Sequence, residues 1–469
     1  MDEICFLPAT TQARMIRERQ ISAVELTQTH LDQIARVNPA INAIVTLVPE
    51  RALAQAAAAD AALLRGDVVG PLHGLPVAHK DLAETAEVRT TFGSLLYTDH
   101  VPTHDCLLVE RIRAAGAITL GKTNTPEFGA GSHTFNALFG ATHNPYDLAK
   151  SAGGSSGGAA AALACGMVAL ADGSDMGGSL RNPAAFCNVV GLRPGPGRVP
   201  DWPSQTHWSP LATDGPLART VSDVALFLSV IAGADLRAPL SLAEDPTVFA
   251  RPLAGDVRGW RVAWSPTLGG LPFDPHILAA LAPHRATFAD LGCTVTDEDL
   301  DLRGAVEVFT TWRAWHFAVG LGPLIDKHPG ALKATIVGNI AAGRALTGED
   351  LARAERLRAQ LWQRVLQFFT RYDALVCPVT QVPPFVIAQE YVTEIAGVPM
   401  QSYIDWMQSC TVISATGLPA ISVPAGFTAA GLPVGIQIIG RPRGERALLE
   451  LAFAFEQATM VGARRPPDR

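Results

Sequence analysis

With 469 residues, 48% of them hydrophobic and 17% charged, the chain can bury a large core, which excludes a predominantly disordered protein. A net charge of −7 without any basic block excludes a nucleic-acid-binding face or an anionic membrane surface as partner. Seven scattered cysteines, an odd number with no C-x-x-C pair, argue against a disulfide framework or a zinc site and fit a reducing cytoplasm.

The first 20 residues lack the basic and apolar succession of a signal peptide, so cytoplasmic location is expected. Residues 1–65 read as helices. Ser22 and Glu25 form the S-x-x-E of a capping box, and RALAQAAAADAALL (51–64) is made of strong helix formers. From Pro71 the texture changes: the short apolar runs LPVAH, AITLG and MVALA alternate with Gly-rich turns and helical stretches through about residue 230. That alternation predicts a mixed, twisted sheet covered by helices on both faces, an α/β/α sandwich. The uncharged stretch from Ser151 to Ala171 is rich in Gly, Ala and Ser, and reads as a loop and a buried helix rather than a membrane span. Residues 235–256 read as a surface excursion and 275–370 as largely helical. Strand texture returns from about 373 in ALVCPV, AISVPAG and GLPVGIQIIG. Sheet texture on both sides of the helical part predicts one domain over 1–469 with a helical insertion.

Only five of the 37 basic residues are lysines, Lys80, Lys122, Lys150, Lys327 and Lys333. Each is informative, because arginine does not give up its proton in a protein and lysine can. Three patterns compete as carriers of chemistry. GAITLGKT (116–123) satisfies the phosphate-loop pattern G-x-x-x-x-G-K-[ST], but its spacer is strand-like and Pro126 follows closely where a helix should run. Gly153 to Gly157 satisfies G-x-S-x-G, but NPYDLAKSA before it is no strand, as a nucleophile elbow requires. The third pattern joins separated pieces: HKD with Lys80, GGSSGG with Ser155 and Ser156, and GSDMGGSLRNPAAFCNVVGL with Ser179.

On these pieces the stretch from Ser151 to Pro200 resembles the amidase signature family, whose core is a Ser-Ser-Lys triad. PLHGLPVAHKDL, AGAITLGKTNTPEFG, NPYD, GPLARTVSDVALFL, YDALVCPVT and TGLPAISVPAGF are similar, in order, to other blocks of that family, and residues 235–370 match least. The resemblance implies a hydrolase of C–N bonds in which Ser179 attacks the carbonyl and forms an acyl-enzyme. Ser155, preceded by a cis peptide bond, would relay the proton, and Lys80 would accept it. That last role needs a neutral amine, and burial behind the apolar LPVA would supply one by desolvation. Asp81 is the competing partner that would hold Lys80 charged, although neighbours on a strand face opposite ways. Backbone N–H groups of Met176, Gly177, Gly178 and Ser179 are the expected oxyanion donors. Asp175 and Arg181 are expected to brace that loop, with a surface ion pair as the alternative. Gly129 and Gly131 match positions lining the substrate mouth.

Aromatic residues cluster around Trp202 and Trp208, along Phe309, Trp312 and Trp315 at one-face helical spacing, and around Tyr403 and Trp406. They read either as core or as an apolar funnel. Trp208, Trp315 and Tyr403 are the expected substrate contacts of a hydrophobic or aryl amide, an anilide, or a carbamate. His100 and His104 in HVPTH have helical metal spacing but contain a proline and no acidic neighbour, and read as loop. No metal or cofactor is expected, the partner is a small-molecule amide, and the chain is expected to act as monomer or homodimer. Two other classes compete: a glutamine amidotransferase subunit needing a partner protein, and a non-catalytic scaffold, against which the intact Lys80, Ser155 and Ser179 speak.

Overall fold

The computed structural model describes residues 2–209 and 211–468. Eleven strands form one mixed sheet. In chain order they are β1 (Ile44–Leu47), β2 (Pro76–Lys80), β3 (Ile118–Thr123), β4 (Leu170–Asp175), β5 (Val190–Arg193), β6 (Thr213–Ala218), β7 (Arg261–Trp264), β8 (Thr294–Asp297), β9 (Ala374–Pro378), β10 (Ala420–Phe427) and β11 (Pro433–Gly440). Across the sheet they run β1-β3-β2-β4-β6-β5-β10-β11-β9-β7-β8. β2 is parallel to both β3 and β4, β9 and β8 are parallel to β7, and the remaining pairs are antiparallel.

Period-2 alternation explains why both faces are covered. Along β9, Ala374 and Val376 join one apolar cluster, whereas Leu375 and Cys377 join another. The sandwich expected from the sequence is therefore present. Helices Ala9–Arg17, Ala23–Ile41 and Pro49–Arg65 open the chain, and the Ser22–Glu25 capping box forms at the second. Among the described residues no helix is long and apolar enough to cross a membrane.

Within GAITLGKT, Ile118–Thr123 form strand β3. Lys122, buried, donates to Ala83 O, Thr85 Oγ1 and Thr90 Oγ1, so its ammonium serves the protein interior rather than a phosphate. Residues 275–370 hold the long helices Ala305–Lys327, Ala334–Ala345 and Gly348–Arg371, but also β8. TVTD is a short, largely exposed edge strand, so it lacks the apolar run that identifies an interior one.

The site is positioned by β2 and β4. They are adjacent and parallel, with Val77 opposite Leu170 and Ala78 opposite Ala171, so their carboxyl ends open at the same edge. Against them lies helix Gly157–Ala164, buried along its whole length. It approaches so closely because its first turn is glycine: a Cβ on Gly158 would stand 2.3 Å from Asn124 N and 2.6 Å from Ala43 O. Gly158→Ala should therefore cost about 3 kcal/mol by overpacking against rigid backbone. Gly338→Ala, in a helix interior with nothing within 4 Å of the new methyl, should stabilise by about 0.5–1 kcal/mol. Denaturant unfolding of the two variants checks both signs.

Candidate active site

Lys80 ends β2, Ser155 lies in the loop before helix Gly157–Ala164, and Ser179 lies between β4 and helix Arg181–Phe186. Lys80 Nζ is 2.7 Å from Ser155 Oγ and 3.0 Å from Ser174 Oγ, and the side chain is 2% exposed. Burial lowers the lysine to about 7, against the opposing pull of Asp214, Asp175 and Asp172. The competing partner, Asp81, turns elsewhere. Its carboxylate accepts from Thr91 Oγ1 and from the Thr91 N–H, and the charge it feels most is Lys122.

The peptide bond between Gly154 and Ser155 is cis. Ser132 Oγ donates to Gly154 O at 2.6 Å and itself accepts from Asn182 Nδ2 at 2.9 Å, tying the first serine loop to the helix after Ser179. The Ser156 N–H donates to Ser179 O at 3.3 Å, which brings the two serine loops together. The Ser179 hydroxyl is half-buried and makes no hydrogen bond to the described residues.

The loop carrying Ser179 is built on a buried charge cluster. Arg181 holds Asp175 with two bonds of 3.0 Å, from Nε to Oδ2 and from Nη2 to Oδ1. Arg193 Nη1 adds bonds to Asp175 O and Oδ1. The surface-pair alternative does not hold, since Asp175, Arg181 and Arg193 are all 0% exposed. Burial raises the Asp175 carboxyl, but Arg181 and Arg193 outweigh it and hold it below the usual carboxylate range. One sequence expectation needs correction here. Gly178, at φ +120°, points its N–H at Asp175 Oδ1 (2.7 Å), because a buried carboxylate needs donors, so that N–H is not free for an oxyanion. The N–H groups of Gly177 and Ser179 have no acceptor among the described residues.

Gly129 borders the serine: a Cβ there would come 3.5 Å from Ser155 Oγ. Gly131 borders Lys333 Nζ and the Tyr403 ring, each 3.9 Å from its would-be Cβ. Tyr403 Oη accepts from Arg313 Nη2 at 2.5 Å and from Asn339 Nδ2 at 2.7 Å. Trp315 is half-buried with its ring edge-on to Trp312, and no hydrogen bond or ring contact among the described residues joins it to the serines. Trp208 is 77% exposed, and no hydrogen bond or ring contact among the described residues joins it to the serines. A tryptophan in a Pro-rich loop carries no periodicity to show which way it faces.

Several groups were invisible in the sequence. Ser174 and Asp214 are direct cross-strand partners on β4 and β6 and share one face with Lys80 Nζ. Together with Asp172, Asp201 and Trp202 they line a cavity of about 200 Å³ beside the lysine. Asp172 Oδ1 accepts the Lys80 N–H at 2.9 Å, and its Oδ2 is 2.5 Å from His79 Nδ1. Burial pushes Asp214 well above the usual carboxylate range. His100 and His104 do have an acidic neighbour, Glu84, with contacts of 3.7 Å to each ring, delivered from a distant loop. No group of three or more metal-ligating side chains is assembled among the described residues.

The family model described as Amidase matches residues 25–449. An acylamidase from Rhodococcus erythropolis is 37% identical over 468 residues, covering 99% of this chain and 98% of that protein. A glutamyl-tRNA(Gln) amidotransferase subunit of Dehalococcoides mccartyi is 34% identical over 498 residues, covering 98% of each. A solved bacterial aryl acylamidase of the amidase signature enzymes superposes with a TM-score of 0.90 at 29% identity, covering 98% of this chain and 99% of that one. The chain therefore belongs to the amidase signature family and is an amide C–N hydrolase.

Asp175→Ala would leave two buried guanidinium groups without their carboxylate. It should destabilise the fold by about 3–5 kcal/mol in denaturant unfolding, which a surface pair at about 0–1 kcal/mol would not do.

Proposed function

We propose that the chain hydrolyses carboxamides through an acyl-enzyme formed on Ser179, with Ser155 as proton relay and Lys80 as terminal base. The observation that carries this reading is the buried Lys80 amine at 2.7 Å from Ser155 Oγ, lowered to about 7 by desolvation. At neutral pH much of that amine is uncharged and able to accept a proton, which a lysine near its ordinary value of about 10.4 is not. Ser179 Oγ attacks the carbonyl carbon and its proton passes to Ser155 Oγ, whose own proton passes to Nζ. The tetrahedral oxyanion is met by the N–H groups of Gly177 and Ser179. Protonated Lys80 returns the proton through Ser155 to the leaving amine, and water then repeats the sequence to release the acid. No metal or cofactor enters any step.

We further propose hydrophobic or aryl amides such as anilides, with carbamates as related substrates, handled in the cytoplasm by a monomer or homodimer. Support comes from the acylamidase and aryl acylamidase relatives and from the apolar Phe309 ring packed against Gly177 of the serine loop. The second reading, one component of an amidotransferase, rests on the 34% identical Dehalococcoides mccartyi relative. Glutaminase activity together with co-purification of a second protein would favour it over anilide hydrolysis.

Ser179→Ala should lower kcat by about 10³-fold or more, and a fluorophosphonate should label Ser179 and not Ser155, read by peptide mass spectrometry. Lys80→Arg should be nearly as damaging as Lys80→Ala, because arginine keeps the charge and loses the basic function. EDTA should leave turnover unchanged. The profile of kcat/KM should rise with pH through about 7 as Lys80 loses its proton, then level off. A rising limb displaced to the ordinary lysine range would contradict the assignment.

A further inference from the structure

Arg313 is a buried cation without a counter-ion among the described residues. It lies on helix Ala305–Lys327 and is 5% exposed. Its Nη2 donates to the neutral Tyr403 phenol, and its Nη1 reaches only a thioether, Met176 Sδ at 3.3 Å, which is a weak acceptor. Nε and one N–H on each Nη have no acceptor among the described residues, and no carboxylate there lies within 4 Å. Glu127, the nearby buried acid, is committed to Ser94 Oγ and the Lys333 N–H. The Phe317 and Tyr403 rings, 4.4 and 5.6 Å from the guanidinium, attract the charge but satisfy none of its N–H groups. An ion buried in this way is costly unless something outside the chain completes it.

Its position says what that something is. Phe309, one turn earlier on the same helix face, touches the serine loop: a Cβ on Gly177 would come 2.8 Å from its ring. Arg313 stands about 6 Å further along that face and touches Met176, the first residue of the loop. Opposite it, Tyr403 and Lys333 border Gly131, beside Ser132. The pocket they line also holds Trp406 and Thr335, whose Nε1 and Oγ1 are buried without partners among the described residues, and the exposed Glu390, the acid whose charge acts most on Lys333. Arg313 against Met176 and Lys333 beside Gly131 thus place two cations next to the segments that carry Ser179 and, through Ser132, the Ser155 loop.

We propose that Arg313 binds a carboxylate carried by the substrate, so that the preferred amides bear an anionic group a few bonds from the scissile carbonyl. The planar guanidinium fork matches the two oxygens of a carboxylate. This inference rests on the reading of Ser179 as the nucleophile. It narrows the substrate class from hydrophobic amides to amides that combine an apolar part with an acid.

The test compares N-succinyl and N-glutaryl p-nitroanilide with their neutral butyryl and valeryl counterparts in the wild type, Arg313→Gln and Arg313→Lys. The wild type should favour the acidic member of each pair by about tenfold or more in kcat/KM, and added salt should shrink that ratio. Arg313→Gln should bring the ratio to about one, with Arg313→Lys in between. No acidic preference in the wild type, or its persistence in Arg313→Gln, would overturn the proposal. A turnover-free arm separates this failure from failure of the catalytic reading. Glutarate should raise the Tm of the wild type and, less strongly, of Arg313→Lys, while glutaramide should not. Equal effects of the two ligands on the wild type would count against carboxylate binding whatever the state of Ser179.

Discussion

A primary amine whose charged form is disfavoured by burial is the constraint from which the rest of this architecture follows. Lys80 has three carboxylates in its surroundings, any of which would fix it as a cation on contact. Two of them are engaged elsewhere. Asp172 is taken by His79 and by the Lys80 backbone, and Asp175 by two arginines. Asp214 is itself driven toward its neutral form by burial. What reaches Nζ directly is a pair of hydroxyls. The charge cluster below the serine loop is thus part of the electrostatics of the lysine as well as a brace.

The sheet makes this arrangement possible. Parallel β2 and β4 deliver Lys80 and Ser174 to the same edge, and antiparallel β6 sets Asp214 opposite Ser174. A helix of small residues then allows the Ser155 loop to descend onto them. Helix Ala305–Lys327 brings Phe309 against Gly177 and Arg313 against Met176, so a segment far in sequence from Lys80 and Ser155 packs against the loop that carries Ser179.

Legibility in the sequence tracks how local each feature is. Lys80, Ser155 and Ser179 stand in glycine-rich or strand-end contexts that could be read from the chain, and so did the alternation that gives the sandwich. Asp175 and Arg181 were legible as a pair six residues apart, but their burial and the second arginine were not. Arg193 ends a strand and reaches Asp175 only through the fold. Ser174, Asp214 and Glu84 meet their partners through strand register or distant loops, which no linear spacing encodes. Arg313 sits between Trp312 and Trp315, where the aromatic stripe drew attention to apolar packing and hid the charge. Trp208 shows the converse, an aromatic residue whose outward direction composition could not reveal.

The central claim concerns the protonation state of one nitrogen, and it can be observed without turnover. Because the chain holds only five lysines, lysine labelled with ¹³C at the ε position gives few signals, and the Lys80 resonance is assigned by its loss in Lys80→Met. Titration of that resonance should show a midpoint near the value of about 7 that burial imposes. A Lys80 signal that stays in its protonated position until pH approaches about 10 would contradict the account.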